Sequence, residues 1–279
     1  MSTSLLPYCR DCCGDHGEAC RQSGSFLNCI DLEFAEIMAR SALDHSTRSS
    51  AEARHVRIPP IGLPGTLCIP TDAYAVVIFV HGSGSSRFSP RNTAVADALN
   101  EQGIATLLFD LLTVEEEADR ANVFNIPLLA ERLVHVVRWL GRESIVGSLP
   151  LGLFGASTGA AAALVAAARL GDRVGAIVSR GGRPDLAGDA LGQIHTPTLL
   201  IVGGIDFGVI ELNEQAFSRL RGPKSLEIVP GASHLFPEPG ALEAVIGHAA
   251  RWFERHLGRG ARPGRGRACA KLGECHAFR

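Results

Sequence analysis

The sequence predicts an α/β fold: a mostly parallel central sheet with helices on both faces, an N-terminal antiparallel hairpin and no large cap domain. Three observations point to it. Short, nearly continuous apolar runs recur between Ala75 and Val229, and strands apolar along their whole length are buried on both faces. Segments with helical periodicity separate these runs, as in a doubly covered sheet. Upstream, "RHVRIP" and "GTLCIP" flank the Pro- and Gly-rich turn "PIGLPG", which is a hairpin pattern.

Taken in order, "AVVIFV" (Ala75–Val80) leads to a helix around Arg91–Glu101, and "IATLLF" (Ile104–Phe109) leads through an acidic loop to a helix around Pro127–Leu140. "LGLFG" leads to an alanine-rich helix running to Ala168, whose composition is among the best helix formers. "VGAIVS" (Val174–Ser179) precedes a loop and short helix, "PTLLIVG" (Pro197–Gly203) a helix around Val209–Leu220, and "SLEIVP" a last helix, Ala241–Leu257. Right-handed crossovers place the carboxyl ends of all the parallel strands on one edge, where ligands bind in such sheets.

Residues 51–258 carry this pattern and its ends do not. Residues 1–50 are polar and hold five of the eight cysteines, and 259–279 form a Gly/Arg-rich tail. Both are expected to be disordered. Met38 offers a second start nearer the patterned region. The cluster Cys9, Cys12, Cys13, His16 and Cys20 matches no paired CxxC spacing, so no metal site is expected. A formal net charge of −2 supplies no field to recruit nucleic acid or an anionic membrane. No apolar run reaches bilayer length, and the N-terminus lacks the basic start and apolar core of a secretory signal. Reduced thiols and a cytoplasmic location are expected.

Gly155-Ala156-Ser157-Thr158-Gly159 stands at a strand-to-helix junction. A side chain at the apex of so sharp a turn has strained backbone angles, and residues two positions away would collide unless they are glycine. The turn lifts the Ser157 hydroxyl above the sheet edge and sets the next amide at a helix N-terminus. A serine needs a base to take its proton and an acid to orient that base. Asp206 follows the strand before it in "GGIDFGV", and His234 follows the next in "GASHLF". Each has a bland alternative: Asp206 as a helix cap, His234 as a loop histidine bonded to backbone. Their order and common edge favour the triad. The loop "VHGSGSS" (Val80–Ser86) supplies the second oxyanion donor, so the amides of Ser83 and Thr158 are the expected pair, with His81 structural.

"HGSG", "GASTG", "GGIDFGV" and "GASHLF" at these positions resemble an α/β-hydrolase, and within that superfamily the dienelactone-hydrolase-like branch of small enzymes without lids. The resemblance covers about Arg54–Leu257 and implies Ser157 as nucleophile, Asp206 as acid and His234 as base, with no metal or organic cofactor. Dienelactone hydrolases proper use cysteine where this chain has Ser157, so the dienelactone substrate does not carry over. A small soluble ester or related acyl compound is the expected partner. An acyltransferase with the same residues and a binding module without turnover are the alternatives.

"VEEEADRANVFN", between "FDLLT" and the next helix, is too short for a cap domain. Arg87, Arg91, Arg180 and Arg183 follow strands on the same edge. They are either solvated or paired with acids such as Glu115–Glu117, or they hold a carboxylate or phosphate of the substrate in planar guanidinium forks.

Overall fold

The structure, a computed structural model, describes residues 52–258. The expectations for the cysteine-rich segment, its candidate metal cluster and the Gly/Arg tail lie outside the described residues.

Eight strands form one open sheet in the order β1-β2-β4-β3-β5-β6-β7-β8. The hairpin β1 (Glu52–Ile58) and β2 (Leu63–Ile69) is antiparallel, and β2 also runs antiparallel to β4 (Ile104–Phe109). All later pairings are parallel, through β3 (Ala75–Val80), β5 (Leu151–Ala156), β6 (Ala176–Arg180), β7 (Thr198–Gly203) and β8 (Lys224–Val229). Every residue of β3, β4, β5, β6 and β7 is buried, which is why these strands read as unbroken apolar runs.

Alternate residues of each strand enter different cores. Val76, Ile78 and Val80 face one side, with the helices α4 (Ile126–Leu140), α5 (Thr158–Leu170) and α6 (Phe207–Arg219). Ala75, Val77 and Phe79 face the other, with α1 (Pro90–Glu101) and α7 (Ala241–Leu257). The period-two alternation of strand side chains produces this division. Phe79 and Phe154 meet across β3 and β5 with ring centroids 4.9 Å apart, and burying each contributes about 2–3 kcal/mol. Gly152 lets α7 close on the sheet: a Cβ there would stand 2.7 Å from the Phe253 ring.

The acidic segment between β4 and α4 forms two single-turn helices, α2 (Val114–Glu117) and α3 (Arg120–Val123), rather than a loop. A capping box starts the first, with Thr113 and Glu116 satisfying each other's backbone amides. Asn125 then caps α4 by accepting from the Leu128 amide. Among the described residues this segment is a rim, not a cap domain. No helix of the described residues is long and apolar enough to cross a membrane.

Candidate active site

Strand register brings the candidate residues to one edge. Ala156 pairs with Arg180, so Ser157 and Gly181 leave the sheet side by side. Gly203 pairs with Val229, so the loops bearing Asp206 and His234 also start together.

Ser157 has φ 51° and ψ −123°, a conformation that L residues rarely adopt. Its amide donates to the Arg180 carbonyl (3.2 Å), and its carbonyl accepts from the amides of Ala160 and Arg183 (both 3.1 Å). The hydroxyl makes no capping bond to α5. Both glycines of the pentapeptide are sterically required. A Cβ at Gly155 would lie 2.5 Å from Ala160 Cα, and one at Gly159 would lie 2.2 Å from the Val80 carbonyl oxygen. Gly82 belongs with them, since a Cβ there would stand 2.9 Å from Ser157 Cβ.

Asp206 occupies the N-cap position of α6, yet its carboxylate makes no cap bond. Instead Asp206 Oδ2 accepts from His234 Nδ1 at 2.7 Å. Asp206 is therefore not a side-chain cap, and His234 pairs with a side chain. With Nδ1 so engaged, a neutral imidazole leaves Nε2 as a lone-pair base. The edge of the His234 ring lies over Gly181, where a Cβ would be 3.7 Å from His234 Cε1. Gly181 directly follows the residue that accepts the Ser157 amide. Among the described residues no hydrogen bond of 3.5 Å or less joins Ser157 Oγ to His234. Such bonds commonly tighten only when substrate is present. Phe236, two residues on, is buried at φ 56° and anchors the histidine loop in the core. Nothing in the sequence marks Phe236 for that task.

The two expected oxyanion donors are linked. The Ser83 amide donates to Thr158 Oγ1 at 2.9 Å, so this expected donor is engaged by the side chain of the residue that carries the other. His81 is structural, as expected: its Nε2 accepts from the Leu111 amide (3.1 Å) and its Nδ1 donates to the Gly82 carbonyl (3.0 Å). These bonds use both ring nitrogens of a neutral imidazole, and burial pushes the His81 pKa below 6.5. A cavity of about 480 Å³ opens beside this loop, lined in part by Gly82, Ser83, Arg87, Asp110, Glu115 and Glu117.

No protein-family model matches the chain. Two Mycobacterium tuberculosis proteins, from strains CDC 1551 / Oshkosh and H37Rv and named provisionally as phosphoribosyl transferases, are 53% identical over 233 residues, or 84% of this chain. The chain spans about half the length of these curated relatives (52%). A solved dienelactone hydrolase from Anabaena variabilis ATCC 29413 is 52% identical, with a TM-score of 0.72 over 75% of this chain and 99% of its own. The chain belongs to the dienelactone-hydrolase-like branch of the α/β-hydrolase superfamily. Est1E from Butyrivibrio proteoclasticus shares the fold at 18% identity, with a TM-score of 0.63 over 74% of this chain and 98% of its own.

In this chain the four rim arginines divide into two kinds. Arg87 pairs with Asp110, whose other oxygen accepts the Arg87 amide at 2.7 Å. Arg183 forks onto Asp185 through Nε and Nη2 at 2.9 and 2.8 Å. For these two the pairing alternative holds, with Asp110 and Asp185 as the acids. Their partners are not Glu115–Glu117, of which Glu116 pairs with Arg132. Arg91 and Arg180 have no carboxylate within ion-pair distance among the described residues. Nothing in the sequence marks Asn92, in the first turn of α1, or Asp110, directly after β4, as the partners of Arg180 and Arg87.

Proposed function

We propose that this hydrolase cleaves an ester or related acyl bond of a small, soluble metabolite through Ser157, His234 and Asp206. The observation that carries the reading is the His234–Asp206 hydrogen bond, on the edge where the strained turn presents the Ser157 hydroxyl. His234 Nε2 takes the Ser157 proton as Oγ attacks the carbonyl carbon. The tetrahedral oxygen receives hydrogen bonds from the Ser83 and Thr158 amides, the former turning from Thr158 Oγ1. The imidazolium, stabilised by Asp206, returns its proton to the leaving group, and the acyl-serine forms. Water then gives a proton to His234 and attacks the acyl carbon, releasing the acid and restoring Ser157.

The transferase name of the mycobacterial relatives belongs to proteins nearly twice as long as the matched region. The elbow and the imidazole–carboxylate pair favour acyl hydrolysis for the portion described. A fluorophosphonate probe tests this directly. It is expected to label the protein at Ser157 and to spare Ser157→Ala, with hydrolysis across an ester and thioester panel lost in the same variant. Labelling that persists in Ser157→Ala, or an inert wild type across the panel, would overturn the proposal. Added alcohols or amines that divert product from the free acid would point to acyl transfer instead.

A further inference from the structure

We infer that Arg91 and Arg180 form an oxyanion subsite beside the Ser157 turn, taking a carboxylate or phosphate group carried by the acyl substrate. Its second half, that the anion belongs to the substrate, rests on the acyl-hydrolase reading. The subsite itself does not.

Arg180 ends β6, and its carbonyl accepts the Ser157 amide. Strand alternation turns its side chain to the α1 and α7 side of the sheet, as for Ala176 and Val178. There Nη2 donates to Asn92 Oδ1 at 3.1 Å, in the first turn of α1. Arg91 adjoins Asn92. Arg180 is only 6% exposed. A guanidinium has five N–H donors, yet among the described residues Arg180 makes one side-chain hydrogen bond, to Asn92, and Nε of both arginines is buried and unpartnered.

The charge is also unanswered. The first turn of α1 contains no acidic residue; Pro90 has no N–H and the Asn92 amide is capped by Ser89 Oγ, so the Arg91 amide is what remains there to add partial positive charge. Burial, and then the neighbouring Arg91, hold the Arg180 pKa down at about 10. A buried guanidinium with a second one nearby and no counter-ion is unfavourable. An oxyanion resolves this at once, supplying charge and acceptors for a planar fork. The paired arginines show what the site lacks: Arg87 has Asp110 and Arg183 has Asp185. The cavity beside the oxyanion loop is not a rival for the anion, since its lining includes two arginines against three carboxylates.

The test uses the full chain carrying Ser157→Ala, so that binding is read without turnover. Titration with inorganic phosphate is expected to saturate and to raise the melting temperature, and adding Arg91→Ala should weaken the affinity at least tenfold. Arg91 is half-buried, which keeps the test open if Arg180→Gln fails to fold. In the active protein, phosphate should compete with a dicarboxylate monoester. Arg91→Ala should lower the ratio of kcat/KM for that ester over a neutral one at least tenfold. Arg54→Ala, at a distant exposed ion pair with Glu143, controls for loss of surface charge. Absence of saturable phosphate binding, or affinity unchanged by Arg91→Ala, overturns the subsite. Phosphate that binds through Arg91 without competing overturns its assignment to the substrate. Binding that survives where the fluorophosphonate never labels Ser157 leaves the subsite standing and removes the acyl-hydrolase reading alone.

Discussion

The carboxyl edge of the sheet has two halves, built by different means. Around β5, β6 and β7 the geometry is made by backbone: a strained serine, glycines that allow close approach, and register that launches loops side by side. Around β3 and β4 it is made by side chains tied to distant amides, with His81 holding Leu111, Thr158 holding Ser83 and Asp110 holding Arg87. The backbone-built half tolerates no added atom. The side-chain-built half depends on charge and protonation, so the two should fail in different ways.

The sharpest way to break the first half is Gly159→Ala. Its new Cβ would lie 2.2 Å from the Val80 carbonyl and 2.4 Å from that of His81, so backbone must move. Roughly 3 kcal/mol of stability and all fluorophosphonate labelling are expected to be lost, read by denaturant melts and gel fluorescence. A variant with wild-type melting and labelling would show that the turn is not sterically locked.

Asp206→Asn should separate chemistry from construction. Since the carboxylate makes no cap bond to α6, the melting temperature should move little. The change removes the charge that orients and stabilises the imidazole, and kcat should fall about 10²- to 10⁴-fold. A large loss of stability with kcat intact would return Asp206 to a capping role.

The second half should respond to pH. Burial lowers the His81 pKa below its ordinary 6.5, so the unfolded chain binds the proton more readily than the folded one. Stability is therefore full above about pH 6.5 and falls as the pH drops below it, with a limiting slope of about 1.4 kcal/mol per pH unit. His81→Gln should flatten that part of the curve in chemical melts. His256, lowered by burial and by Arg255, acts in the same direction in both proteins, so the difference between the curves isolates His81. Parallel curves would remove His81 as the acid-sensitive tie.

The same division explains what the sequence made legible. The five buried strands were visible as apolar runs, and the turn at Ser157 was visible because glycine is needed where nothing else fits. Chain order points to Asp206 and His234, since crossovers of one hand send every strand end to the same rim. The side-chain ties were not legible, because contact across long separations leaves no local pattern. Arg87 and Arg180 look alike in sequence, and only the fold reveals that one meets Asp110 and the other an amide oxygen. The acidic stretch after β4 looks like a loop in sequence because two single-turn helices are too short to show periodicity.

The corner at Ser157 also limits what evolution can mount there. Its dihedral angles come from the peptide units on either side, and Gly82 presses against the β-carbon. Exchanging oxygen for sulfur changes the reacting atom without adding a branch, so a thiol fits the same bracket. Threonine adds a methyl in a conformation that branched residues avoid. The fold therefore permits a choice between two chalcogens at this post and closes it to threonine.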